Sequence, residues 1–308
     1  MKTILFVSPT AILGGAERVM FNLALEYLEN GHKVIFYIMS RGEQPGWEKL
    51  CQFDNFAIIA KDFSSEKKSL FNFFFTMVSI SKSNNISCIY SSHTHVNGCL
   101  SFMRKLKLLN CDFLVAREST VIFERFTGVK KMLFKFIYKY AYGAQDLIVC
   151  QTRYMKNSLL KALGYKPARS IKVINNPVSY GHILERLGSV DISSDIFSVG
   201  YIVACGRFVE LKQFDYLITA FSRTLFITSD FYLILIGDGP LLEAAKKLAL
   251  ELGVSSRVIF TGKVNNPIPY FQHAQLGVIS SKIEGFPNVL IEMMGAGIKN
   301  ILTTPCTE

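Results

Sequence analysis

The chain has 308 residues, half of them hydrophobic and 19% charged, which excludes a disordered protein and allows a large buried core in two domains. Its formal charge of +10 is uneven: residues 1–178 hold 24 Lys+Arg against 12 Asp+Glu, and residues 179–308 hold 10 against 12. A basic first half points to an anionic partner, whether nucleic acid, a lipid surface or a phosphorylated substrate.

The first sixteen residues, MKTILFVSPTAILGGA, combine one Lys, an apolar run and small residues as a signal peptide would. Pro9 interrupts that run, however, and the Gly pair followed by Glu17-Arg18 reads as strand, loop, helix. Residues 4–8 are an apolar run suited to a buried parallel strand. Residues 16–30 carry helical periodicity through Val19, Leu23 and Leu28, with Gly31 as a C-cap signal. Further strands are expected at 33–39, 86–91, 113–116, 146–150 and 172–176, with helices between them. The longest near-apolar run, around 70–80, is too short to span a bilayer. Residues 179–198 are irregular and polar and read as a linker. A second strand set is expected at 201–205, 231–236, 257–261, 276–280 and 300–303. The alternation predicts an α/β protein of two doubly wound, Rossmann-like domains, 1–178 and 199–308, with ligands beyond the carboxyl ends of the strands and a cleft between domains as a natural site.

Seven cysteines at 51, 88, 99, 111, 150, 205 and 306 form no C-x-x-C pair, which fits reduced thiols in a cytoplasmic protein.

Six stretches carry candidate chemistry. Gly14-Gly15-Ala16-Glu17-Arg18 follows the first strand; the glycines allow close backbone approach to an anion at a helix start, and equally suit a tight turn. The full G-x-G-x-x-G is missing, which argues against a dinucleotide site. In Ser92-His93-Thr94-His95-Val96-Asn97 the two histidines would share a face if the strand continued, but no third metal ligand lies near; His95 or Asn97 suits a hydrogen-bonding role or a structural one. In residues 130–142, KKMLFKFIYKYAY, Lys131, Lys135 and Lys139 recur at helical spacing. That is either a basic amphipathic helix for an anionic membrane surface or a core helix with a solvated lysine stripe. Arg207 and Lys212 in Gly206-Arg207-Phe208-Val209-Glu210-Leu211-Lys212 could both reach a diphosphate from a strand–loop–helix corner, or be ordinary surface charges. Gly237-Asp238-Gly239-Pro240 is a turn that shapes a wall. The richest segment is Glu284-Gly285-Phe286-Pro287-Asn288-Val289-Leu290-Ile291-Glu292. Pro287 suits a first helical position, the helix start can hold a phosphate, and a carboxylate lies on either side. Such a segment matches the diphosphate, sugar hydroxyls and ribose diol of a nucleotide-sugar.

No nucleic-acid-binding signature, no G-x-S-x-G and no Asp-x-Asp metal-diphosphate anchor occurs.

In these motifs and their order the chain resembles the retaining glycosyltransferases of family 4, of GT-B fold, and in particular those building bacterial O-antigen and lipopolysaccharide. The resemblance implies a metal-independent hexosyltransferase-type enzyme with no cofactor beyond its nucleotide-sugar donor. Its acceptor would be a lipid-linked saccharide, and its place cytoplasmic and peripheral at the membrane. It implies that Gly14 and Gly15 line the donor phosphate and that Arg207 and Lys212 bind the diphosphate. Glu284 would contact the transferred sugar, and Phe286, Pro287, Asn288 and Val289 would form the loop at sugar and phosphate. Glu292 would accept the ribose hydroxyls, and His95 would approach the sugar from the first domain. Arg117-Glu118 also resembles a family position near the cleft. Family members run further at the C-terminus, so a second domain incomplete at that end, and with it an impaired nucleotide-sugar-binding protein, is the alternative expectation.

Overall fold

In a computed structural model the chain divides into two units, Met1–Pro177 and Val178–Glu308. The structure describes residues 1–39, 47–60, 66–163, 170–177, 180–188, 200–225 and 231–306.

The first unit is built on a seven-stranded parallel sheet, β1 (Thr3–Ser8), β2 (Lys33–Ile38), β3 (Phe56–Ala60), β4 (Ile86–Ser91), β5 (Cys111–Arg117), β6 (Leu147–Cys150) and β7 (Ile171–Val173), in the order β3-β2-β1-β4-β5-β6-β7. Successive side chains of a strand face opposite ways, so each strand feeds two cores. Leu5 and Val7 of β1 pack with Phe73, Met77, Val96, Leu100 and Met103 on one face. Ile4 and Phe6 pack with Met20, Ala24, Leu25, Leu28 and Trp47 on the other. Both faces of β1 are sealed, which is why it reads as a continuous apolar run, and each such side chain contributes roughly 1.5–3 kcal/mol of burial. The expected linker lies partly outside the described residues, at 179 and 189–198. Within it, residues 180–188 open with the helix Tyr180–Leu184 rather than an irregular stretch, because Ile183 is apolar and packs into the second unit's core.

The second unit carries β8 (Tyr201–Cys205), β9 (Tyr232–Ile236), β10 (Val258–Gly262), β11 (Leu276–Ile279) and β12 (Ile301–Thr303), all parallel, in the order β10-β9-β8-β11-β12. The same alternation sends Ile234 and Ile236 to one face and Leu233 and Leu235 to the other.

In both sheets the chain starts a central strand, winds outward one way, then returns to the other side. The reversal falls between β1 and β4 in the first unit and between β8 and β11 in the second. At such a switch point the loops leaving two adjacent strands part in opposite directions and open a crevice at their carboxyl ends. All seven cysteines are free thiols, and burial pushes those of Cys88 and Cys150 up to about 12.

Candidate functional site

In the second unit the crevice is formed by the segments after β8 and β11. After β8, the backbone runs through Gly206, Arg207 and Phe208 to a short 3-10 turn, Glu210–Lys212. Phe208 is buried and holds the loop down, while Arg207 is exposed. The Gly237-Asp238-Gly239 turn after β9 lies directly against it: Phe208 N donates to Asp238 O at 2.9 Å and Leu241 N to Phe208 O at 3.1 Å. A Cβ on Gly237, whose φ is +140°, would sit 1.9 Å from Gly206 O. One on Gly239 would sit 2.5 Å from Phe208 O. Both glycines are therefore required by the close approach of two loops.

After β11, Ser280 Oγ donates to Lys212 O at 2.6 Å and Lys282 N donates to Leu211 O at 2.8 Å, which joins the two loops. Lys212 Nζ then reaches Glu284 Oε1 at 2.5 Å, and Ser281 Oγ donates to the same oxygen at 2.6 Å. The carboxylate sits in a half-buried place and is fixed from two sides; Glu284 N is held by Cys306 O at 3.0 Å. Residues 72 positions apart thus meet because β8 and β11 are neighbours.

The helix after this loop runs Asn288–Gly295, so Pro287 is the residue before the first helical position rather than the first. With φ −77° and ψ 84° it sits in a tight turn closed by Asn288 N donating to Phe286 O at 2.9 Å, and the first helical turn begins only when Leu290 N reaches Pro287 O at 3.0 Å. A helix start carries a partial positive charge that suits an anion, although here Asn288 N and Leu290 N already donate to Phe286 O and Pro287 O. Asn288 and Glu292 both fall within the helix at one-turn spacing, and Phe286, Pro287 and Val289 are half-buried around it. The structure therefore brings Arg207, Lys212, Glu284 and residues 286–292 to the carboxyl ends of two adjacent strands.

The first unit gathers its own group at its switch point. After β1, Gly14 leads into the helix Gly15–Glu29, and a Cβ there would meet Glu17 Oε2 at 2.8 Å. After β4 the strand does not continue as the histidine spacing suggested. The helix Thr94–Lys105 starts at once with His93 as its N-cap residue, so His93 and His95 do not share a strand face. Their ring centroids lie 5.9 Å apart. Glu17, buried, reaches His93 Nε2 at 3.1 Å, while His93 Nδ1 faces the interior with no partner among the described residues. His95 is exposed, yet atoms packed about its ring lower its pKa first and His93 second. The Glu17–His93 pair was not anticipated from the sequence; its members are brought together only by the pairing of β1 with β4. Among the described residues no cluster of three His, Cys, Asp or Glu side chains could hold a metal ion.

Arg117, the last residue of β5, and Glu118 after it are buried. Glu118 accepts from Tyr138 at 2.6 Å, Tyr142 at 2.9 Å and Thr94 Oγ1 at 3.1 Å. Burial raises its carboxyl above the usual range, against those three hydroxyls and Arg117, which lower it. Arg117 donates to Ser92 Oγ and to Asn176 Oδ1 at 2.6 Å, with burial lowering its pKa. These bonds tie the end of β5 to the helices that carry Thr94, Tyr138 and Tyr142.

Residues 13–180 match the family model described as Glycosyltransferase Family 4, and residues 200–307 match the model described as Glycosyl transferases group 1. The lipopolysaccharide core biosynthesis glycosyltransferase LpsE of Rhizobium meliloti is 34% identical over 159 residues, 51% of this chain and 44% of that protein. The N-acetylgalactosamine-N,N'-diacetylbacillosaminyl-diphospho-undecaprenol 4-alpha-N-acetylgalactosaminyltransferase of Campylobacter jejuni is 26% identical over 169 residues, 55% of this chain and 44% of that protein. The matches thus span about half the length of these curated relatives. Anabaena HepE, solved in complex with UDP and glucose, superposes with a TM-score of 0.73 at 18% identity, over 97% of this chain and 80% of that one. That likeness identifies the two-sheet architecture as the GT-B fold.

Proposed function

The chain belongs to glycosyltransferase family 4, and from that premise we propose that it moves a hexosyl group from a nucleoside-diphosphate sugar to a lipid-linked saccharide acceptor in cell-surface polysaccharide synthesis. The observation that carries this reading is the Lys212–Glu284–Ser281 cluster beside Arg207 and the helix start at Asn288. Cleaving a sugar–diphosphate bond leaves negative charge on the departing oxygen. Two cations and a helix N-terminus at one crevice stabilise that charge without a metal ion. Lys212 is held by Glu284 at 2.5 Å, so a donor diphosphate competes with that carboxylate for the ammonium. Glu284 is then released toward the sugar hydroxyls, and Glu292, one helical turn beyond Asn288, takes the ribose diol. Phe286, Pro287 and Val289 shape the loop around phosphate and sugar.

The transferred sugar becomes oxocarbenium-like as the bond breaks. With departure and attack on the same face, the configuration is retained, and the leaving phosphate takes the acceptor proton. His95, held toward its neutral form, offers a hydrogen bond to a sugar hydroxyl, and Gly14 and Gly15 give a ligand close access to the backbone. The lipid-linked acceptor is supported by the diphospho-undecaprenol saccharide in the name of the C. jejuni relative, and the pathway by lipopolysaccharide core biosynthesis in that of LpsE. On this reading the enzyme works at the inner face of the cytoplasmic membrane. No helix among the described residues is long and apolar enough to cross a membrane.

Incubation with a panel of nucleotide-sugars and diphospho-polyprenol-linked saccharides tests the reading. Transfer that persists in EDTA and gives a product with the donor's anomeric configuration by NMR is expected. Nucleotide-sugar binding with no turnover would support the non-catalytic alternative, and an inverted product would refute the mechanism.

A further inference from the structure

The helix Gly128–Phe136 continues as a π turn, Ile137–Ala141, and the two halves behave differently. The π turn is anchored. Tyr138 and Tyr142 are buried on Glu118, and Lys105 Nζ donates to Tyr140 O at 2.8 Å and to Tyr142 O at 2.5 Å. Gly98 leaves room for Ile137, whose Cγ2 would lie 2.7 Å from a Cβ there. Phe134 stacks on Phe126 at 5.0 Å and closes the inner side.

The α-helical half has no buried residue at all. Val129 is 83% exposed, Met132 70%, Leu133 56%, Phe136 60% and, beyond it, Tyr140 52%. Their spacing of three, four, seven and eleven from Val129 places them in one stripe along the outer side. The rings of Phe136 and Tyr140 lie 4.5 Å apart within it. A rigidly held, contiguous apolar surface of this kind is uncommon on a protein that keeps to water and marks a docking face.

Charge identifies what docks. Between Glu124 and Asp146 the chain has four lysines, Lys130, Lys131, Lys135 and Lys139, and no acidic residue. Lys130, Lys135 and Lys139 are exposed and border the stripe, while Lys131, half-buried, falls on the inner side one turn before Phe134. Lys139 Nζ lies over the Tyr140 ring at 5.1 Å. Apolar side chains that enter the acyl boundary, a tyrosine at its edge and ammonium groups at headgroup height are what an anionic bilayer surface accommodates. A core packed against another protein segment would need no uniform cationic border. We propose that this stripe, led by Met132, Leu133 and Phe136 and flanked by Lys130, Lys135 and Lys139, docks the first unit on an anionic lipid surface. The docking does not depend on the transferase reading: vesicle binding is read without donor or acceptor, so either can fail alone.

The test is co-sedimentation of the full chain with vesicles of phosphatidylcholine alone or mixed with phosphatidylglycerol. The wild type is expected to bind the mixed vesicles and to be released by salt. Changing Lys130, Lys135 and Lys139 to Gln should weaken that binding by about fivefold per lysine near the surface. Met132→Ser, Leu133→Ser and Phe136→Ser together should weaken it at least tenfold. Because none of these side chains is buried, both variants should keep the wild-type unfolding midpoint read at Trp47. Equal binding to neutral and mixed vesicles, or wild-type binding by both variants, overturns the proposal. So does a solution dimer that the triple variant dissociates while the wild type ignores vesicles, which would assign the stripe to a second copy of the chain.

Discussion

Replacing Glu118 by Ala removes the acceptor that three buried hydroxyls share. Tyr138, Tyr142 and Thr94 donate to its carboxylate at 2.6, 2.9 and 3.1 Å, in a place that is 1% exposed. A buried donor left unsatisfied costs about 1–3 kcal/mol, and removing the buried carboxylate returns part of that, so a net loss of roughly 3–5 kcal/mol is expected. Glu118→Gln keeps one acceptor oxygen and the shape, and should lose about 1 kcal/mol. The chain has a single tryptophan, Trp47, buried in the first unit's core, so its fluorescence in urea follows the unfolding of the unit that contains Glu118. With a slope of about 1–3 kcal/mol/M the Ala variant should shift the midpoint by roughly 1–5 M. Burial raises the folded pKa of Glu118, so its contribution to stability is complete below the unfolded carboxylate pKa and is lost as pH rises through the raised folded value. The Gln variant should therefore lack that decline with pH. An Ala variant within about 1 kcal/mol of wild type, or a Gln variant with an unchanged pH slope, would refute the account of Glu118 as the fixed centre of this packing.

Two further outcomes follow from the loops. Gly237→Ala must place a Cβ 1.9 Å from Gly206 O at a φ of +140°, so thermal denaturation of the variant should show a loss of about 3 kcal/mol or more, beyond what the backbone conformation alone costs. Its partner loop carries Arg207, so donor binding should fall with it. His95 should titrate by NMR below the ordinary histidine value of 6.5, and His93→Ala, which removes the smaller cause, should move it only part of the way back.

The sequence made the strands legible where both faces are sealed. Tyr201–Cys205 agrees with β8 to the residue because it is apolar throughout, and residues 86–91 agree with β4 as well, though Ser87, Cys88 and Tyr90 there are half-buried. β3 was not singled out; it is an edge strand with Ala57 exposed, and its pattern of half-buried residues has no sharp period. The motif around Glu284 could be read because its parts are contiguous, but its bond to Lys212 depends on β8 and β11 being neighbours, a fact of topology. The same holds for Glu17 and His93. Pro287 suggests a helix start one residue early, since its fixed φ also suits the tight turn that precedes the helix. Tyr138 and Tyr142 gave no sign of a buried carboxylate partner, because Glu118 lies 20 and 24 residues away on another element.

The central claim is that Arg207, Lys212 and Glu284 hold the sugar diphosphate for transfer. Its most direct measurement is the rate of sugar transfer by the wild type beside Arg207→Ala and Glu284→Ala, at saturating acceptor, with unfolding checked in each. Arg207→Ala removes a cation that stabilises the departing phosphate, and Glu284→Ala removes both the contact to the transferred sugar and the partner that positions Lys212; each should lower kcat/KM by about a hundredfold or more, with the fold intact. Transfer that survives both substitutions unchanged would place the chemistry elsewhere in the molecule.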